Sequence, residues 1–140
     1  MLAVGDRFPV ERLPVKLGAA GAILFFYPAD LTPGCTMEAK AFNDRYERFR
    51  DAGYEVIGVS IDSDERHEEF REECGLRFPL ASDEGGVLAG SLDLLKEYEG
   101  YGTYAKRITY LLDADGTVQR VWDVEDAGEH PEEVLAAVTG

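Results

Sequence analysis

The sequence predicts an α/β sandwich built on a mixed sheet, and three observations carry that expectation. Two apolar runs, Ala22 to Tyr27 and Tyr54 to Ser60, have the length and continuity of buried strands. Each is followed by apolar residues at helical spacing. Near the end, two β-rich runs are joined by Asp113-Ala114-Asp115-Gly116, a tight-hairpin sequence that makes the last pair antiparallel.

Taken in order, Ala22 to Tyr27 ends at Pro28, which directs the following chain out of the sheet. From Cys35, the residues Ala39, Phe42, Tyr46 and Phe49 recur at steps of four, three, four and three, and Gly53 stops this helical stripe. The strand Tyr54 to Ser60 leads into a helix over Asp62 to Cys74, with His67, Phe70 and Cys74 on one face and Gly75 closing it. A short strand is expected at Phe78 to Ala81, a helix at Val87 to Leu95, and an aromatic, glycine-rich loop at Tyr98 to Lys106. Arg107 to Leu112 and Thr117 to Val124 form the hairpin, and Pro131 opens a final helix through Val138. No repeat, linker or low-complexity segment interrupts the 140 residues, so residues 1–140 are expected to form a single domain.

Composition narrows the function classes. A net charge of −14 argues against nucleic acid and anionic membranes as partners, since both are recognised through clustered Lys and Arg. The longest apolar run, Ala19 to Tyr27, is about half of the roughly 20 residues a membrane-spanning helix needs. Two cysteines make no disulfide scaffold, and Met1 to Asp6 lacks the basic start of a signal peptide, so a reducing, cytoplasmic setting is expected. Asp113 to Gly116 begins like a calcium loop, but Thr117 and Val118 stand where a ligand and a glycine are needed. His67 and His130 have no flanking ligand pattern, and no metal or organic cofactor is expected.

The chemistry concentrates in Pro28-Ala29-Asp30-Leu31-Thr32-Pro33-Gly34-Cys35, which carries the chain from a strand end into the first turn of a helix. A cysteine placed there meets unpaired N–H groups and the positive end of the helix dipole, both of which favour a thiolate. Thr32 stands where it can cap the helix, with Pro33 at the first helical position. Its hydroxyl is also within reach of the sulfur or of a bound oxygen.

Pro28, Thr32 and Cys35, in the order Pro, three residues, Thr, two residues, Cys, resemble the peroxiredoxin pattern. The strings Phe-Tyr-Pro and Thr-Pro-Gly-Cys-Thr are similar to those of the bacterioferritin-comigratory, or Q-type, branch. Gly5-Asp6 with Pro9, Glu38, Phe78-Pro79-Leu80 with Ser82-Asp83, and Arg107 to Gly116 extend the resemblance along nearly the whole chain. It implies a thioredoxin-like fold and a thiol-dependent peroxidase that reduces hydrogen peroxide and organic hydroperoxides. It further implies Cys35 as the attacking sulfur, Arg107 as the cation beside it, and Glu38 as the residue that orients Arg107.

The implied cycle leaves a sulfenic acid on Cys35 that a second thiol must capture. Many Q-type relatives carry that thiol five residues later, where this chain has Lys40. Others place it in the next helix, where Cys74 stands, near the C-terminal end. Cys74 therefore resolves the sulfenic acid, or it is a small apolar helix residue and thioredoxin, glutaredoxin or a small thiol reduces Cys35 directly. The segment Val10 to Gly21 is shorter than in many relatives, and the residues leave monomer and homodimer open. Two rival readings are a thiol-disulfide oxidoreductase and a non-catalytic thioredoxin-like module. The first needs a second cysteine where the chain reads Cys35-Thr36-Met37-Glu38, and the second has no use for Pro28, Thr32, Cys35 and Arg107 together.

Overall fold

A computed structural model describes residues 1–139. Its centre is a five-stranded sheet whose strands lie side by side in the order Leu80–Ser82, Tyr54–Ser60, Gly21–Phe26, Ile108–Asp113 and Val118–Asp123. The strands are β1 (Gly21–Phe26), β2 (Tyr54–Ser60), β3 (Leu80–Ser82), β6 (Ile108–Asp113) and β7 (Val118–Asp123). β1 lies at the middle, parallel to β2 and antiparallel to β6, which makes the sheet mixed as predicted. All six residues of β1 are buried because both faces of the sheet are covered. Ile23 and Phe25 pack with Phe42, Phe49, Phe70 and Val134 on one face, while Ala22, Leu24 and Phe26 pack with Phe8, Leu88 and Leu94 on the other.

The predicted stripe from Cys35 to Phe49 is buried throughout, but it spans two helices, α1 (Pro33–Asp44) and α2 (Tyr46–Asp51). The break falls at Arg45, whose backbone N–H turns to the Phe42 carbonyl while its guanidinium takes the Ala41 carbonyl at 2.8 Å. The side chain thus occupies the acceptor that a continuing helix would have used. Helix α3 (Asp64–Cys74) starts two residues later than expected, because Ser63 caps it and Asp62 is engaged elsewhere. Gly75, with φ of 63°, ends it in the left-handed conformation.

Two expectations in the middle of the chain are corrected. The helix predicted over Val87 to Leu95 stops at Ser91, giving α4 (Val87–Ser91), and Asp93 takes a left-handed φ of 58° that turns the chain away. The stretch read as a loop from Tyr98 to Lys106 contains half of a β-hairpin, β4 (Leu95–Tyr98) paired antiparallel with β5 (Gly102–Ala105). Gly100 and Gly102, both at positive φ, supply the turn. The final helix, α5 (His130–Thr139), begins one residue before Pro131.

Candidate active site

The parallel pairing of β1 and β2 sends the chain out of the sheet at Tyr27, and the Pro28–Thr32 loop then drops it into α1. Thr32 has the extended backbone of a helix N-cap, but its hydroxyl does not cap the helix. It donates to the Ala29 carbonyl at 2.9 Å, which closes the loop on itself and corrects the capping expectation. Cys35 is the third residue of α1, among the N–H groups that a helix start leaves unpaired, and it is 1% exposed.

The register between β1 and β6 brings the cation to it. Phe26 lies opposite Ile108, so Arg107, one residue earlier, stands at the mouth of the loop that follows β1. Its Nη2 donates to Cys35 Sγ at 3.3 Å and its Nη1 to Glu38 Oε1 at 2.7 Å. Burial opposes the charge on Arg107. Its interactions with the Cys35 sulfur and the Glu38 carboxyl group more than offset that and hold its pKa above the ordinary value. Glu38 is one helical turn beyond Cys35 and fully buried, and burial pushes its carboxyl up to about 7 against the pull of Arg107. Its Oε2 has no hydrogen-bond partner among the described residues.

A cavity of about 330 Å³ opens over the sulfur. Pro28, Ala29, Thr32, Gly34, Cys35 and Arg107 form its floor, and Tyr98, Tyr101 and Tyr104 of the β4–β5 hairpin form its wall. Pro28 contributes ring carbon and no N–H. Tyr101 is 81% exposed, a large ring held in solvent at the cavity rim. None of the three tyrosines was singled out from sequence. The available signal was their spacing around Gly100 and Gly102, which is that of a hairpin turn.

Cys74 closes α3, partly exposed, and both it and Cys35 are free thiols. Burial raises the pKa of the Cys74 thiol, Lys40 opposes the rise, and Glu73 and Asp30 add to it. Lys40, five residues after Cys35, therefore lies within electrostatic range of Cys74. Sequence reading gave His67 only a place on the α3 stripe and no metal role, and gave Asp30 no role of its own. Asp30 sits in the Cys35 loop, fully buried, and its carboxylate receives the Tyr27 hydroxyl on Oδ1 and faces His67 Nδ1 through Oδ2, each at 2.5 Å.

Comparison with known proteins agrees with this geometry. The AhpC/TSA family profile matches residues 13–121. The chain is 44% identical over 129 residues to peroxiredoxin Q, chloroplastic, of Sedum lineare, covering 89% of this chain and 68% of that one. It spans about half the length of several other plant peroxiredoxin Q chains. Among solved structures it resembles a mutant of Xylella fastidiosa PrxQ, with a TM-score of 0.86 at 29% identity over 99% of this chain and 96% of that one. It also resembles the Xanthomonas campestris bacterioferritin comigratory protein, with a TM-score of 0.79 at 33% identity over 97% of each chain. That protein's structure was described in connection with alkyl peroxide reduction. A mixed sheet with a buried cysteine opening a helix, an arginine bonded to its sulfur and matches of this extent lead to one conclusion: the chain belongs to the AhpC/TSA family, among the peroxiredoxins of the Q/Bcp branch, which are thiol-dependent peroxidases.

Proposed function

We propose that residues 1–140 act as one domain in which the Cys35 thiolate attacks the terminal oxygen of a hydroperoxide. The S–O bond forms as the O–O bond breaks, and the leaving oxygen takes a proton and departs as water or an alcohol. Cys35 is left as a sulfenic acid. The observation that carries this reading is the 3.3 Å contact from Arg107 to Cys35 Sγ, made while Glu38 holds the other arm of the same guanidinium. A fixed cation beside the sulfur stabilises the thiolate before attack and the charge that develops on the departing oxygen.

Thr32 spends its hydroxyl proton on Ala29, so its lone pairs remain free to accept the O–H of the incoming peroxide. Pro28 shapes the floor without presenting a competing donor. The tyrosine wall suits a hydroperoxide with an apolar tail, and the Xanthomonas relative's link to alkyl peroxide reduction supports the same substrate class.

The sulfenic acid then condenses with a thiol, releasing water and leaving a disulfide. Cys74 supplies this thiol if the last turn of α3 or the first turn of α1 unwinds. Otherwise thioredoxin, glutaredoxin or a small thiol attacks directly, in a reducing compartment such as the cytoplasm.

The test is intact mass and non-reducing peptide mapping after one equivalent of hydrogen peroxide, on the wild type and on Cys74→Ser. Loss of two hydrogens with linked Cys35 and Cys74 peptides, replaced by a trapped sulfenic acid in Cys74→Ser, makes Cys74 the resolving thiol. Oxidation confined to Cys35 in both proteins assigns the step to an external thiol. A Cys35 that peroxide leaves unoxidised overturns the reading.

A further inference from the structure

Cys35 is 1% exposed at the floor of the tyrosine-walled cavity, so a thiol carried on a protein, too large for that cavity, reaches its sulfur only if the surrounding loop opens. Asp30 is the residue that fastens that loop. Its backbone N–H donates to Asp62 Oδ2 at 2.8 Å, its carbonyl accepts from Arg66 at 3.3 Å, and its carboxylate is shared between Tyr27 and His67. Leu31, the next residue, has a φ of 64°, left-handed for a residue with a branched side chain. Such a conformation is strained for a residue with a side chain and persists only where neighbours impose it.

The contacts of His67 define its protonation. Nδ1 is 2.5 Å from Asp30 Oδ2, and Nε2 is 3.1 Å from the Ala81 carbonyl oxygen. A carbonyl and a carboxylate both accept and neither donates, so against an ionised Asp30 the arrangement fits a ring protonated on both nitrogens, an imidazolium. The side chains of the pair are 4% and 0% exposed. A buried ion pair of this kind is costly to break, because whichever partner moves leaves the other's charge uncompensated.

We propose that the Asp30–His67 ion pair is a latch between the Cys35 loop and α3. Closed, it holds the buried, peroxide-reactive arrangement, and released, it admits a reducing thiol to the Cys35 sulfenic acid. The proposal rests on Cys35 being the peroxide-reactive sulfur. It makes His67 and Asp30 positioning residues that set the balance between oxidation and reduction without touching substrate.

The latch responds to pH. The groups facing His67 are Asp30 from the loop, the Ala81 carbonyl from β3 and, farther off, Asp62 after β2, while Tyr27 donates to the Asp30 carboxylate and Arg66, beside His67 on α3, donates to the Asp30 backbone carbonyl. Burial lowers the pKa of His67, but the hydrogen bond and charge of Asp30, with the Ala81 carbonyl, more than reverse this and leave it raised. With the folded value above the unfolded one, the latch is complete below the ordinary histidine range and is lost as pH rises through the folded value. The neutral ring turns a lone pair toward one of its two acceptors, which repels it.

Asp30→Asn separates charge from shape. An asparagine there accepts from Tyr27 through Oδ1 and donates through Nδ2 to a neutral His67 Nδ1, while His67 Nε2–H still donates to Ala81. Every bond is kept and the titration is removed. His67→Ala removes the latch altogether.

The experiment is run in a Cys74→Ser background, so that added thioredoxin, whose thiol is carried on a protein too large for the cavity, is the capturing thiol. Cys35 is converted to its sulfenic acid with hydrogen peroxide, and the capture rate is measured between about pH 6 and about 9. The sulfinic acid formed with excess peroxide is measured in parallel. Taking wild type relative to Asp30→Asn cancels the ionisation of the thiol itself. That ratio is expected to rise with pH by about fivefold to tenfold as the latch opens. His67→Ala is expected to be captured about tenfold faster than wild type near neutrality and to form less sulfinic acid. A ratio that stays flat across the range overturns the latch, and it does so even if His67→Ala fails to fold. A folded His67→Ala with wild-type capture and sulfinic acid formation overturns it as well. If no sulfenic acid forms in the wild type, the peroxidase reading falls and the latch falls with it.

Discussion

Arg107 presents two donors from one rigid plane, and the site uses both, one on Cys35 Sγ and one on Glu38 Oε1. Lysine has the charge without the fork, so Arg107→Lys must choose between the sulfur and the carboxylate. A hydrogen bond to a charged group contributes about 1.5–3 kcal/mol, so oxidation of Cys35 by hydrogen peroxide is expected to slow by about tenfold to a hundredfold. Stopped-flow measurement of sulfenic acid formation checks this, and a rate within twofold of wild type would mean that the fork is dispensable. Cys35 and Arg107 stand out in the sequence because each belongs to a recognisable motif, although 72 residues separate them. Asp30 and His67 belong to none. A loop aspartate reads as a turn residue, and His67 reads as one position of the apolar stripe on α3. Its burial at 3% exposure follows from that stripe, but the carboxylate 37 residues away that it pairs with does not.

At the scale of elements, apolar periodicity located nearly every strand and helix, because those elements are set by which face they bury. It failed where backbone conformation, rather than burial, decides. Arg45 divides the predicted helix by taking a carbonyl with its side chain, and Asp93 ends α4 by entering left-handed space. The β4–β5 hairpin is amphipathic over too few residues to show a period, and Tyr101 at its turn is exposed. Its value is positional, since it holds three aromatic rings over the cavity. Tyr101→Ser is therefore expected to lower kcat/KM for a bulky substrate such as cumene hydroperoxide by about tenfold, the loss of roughly one aromatic contact. Hydrogen peroxide, which has no tail to lay against the ring, should lose far less. Parallel assays with both peroxides give the answer, and an equal loss for the two would mean that the ring supports the cavity and does not select its occupant.

For the whole molecule, the mixed sheet fixes what the site costs. The register of β1 with β6 delivers Arg107 to Cys35, and the same geometry seals Glu38 in the apolar cluster beneath, with one carboxylate oxygen bonded to Arg107 and the other without a partner among the described residues. Burial raises the Glu38 carboxyl from 4.5 to about 7, so between those values the folded protein holds a proton that the unfolded chain has released. Stability must then fall as pH rises through that window, by about 3 kcal/mol for a shift of this size. His130 works in the opposite sense. Burial, only partly countered by Glu133, lowers its pKa, so its contribution is lost as pH falls. Repulsion within a chain of net charge −14 acts alongside both. Glu38→Gln isolates the one term, since those other groups are common to both proteins. Its stability relative to wild type in urea unfolding is expected to rise by about 2–3 kcal/mol from about pH 5 to about pH 8. A constant difference would show that the Glu38 carboxyl titrates as it does in water. The same substitution removes the negative charge that steadies Arg107, so a protein made more stable at alkaline pH should also oxidise Cys35 more slowly. The strain of a half-paired buried carboxylate is then a cost of holding the guanidinium on the sulfur.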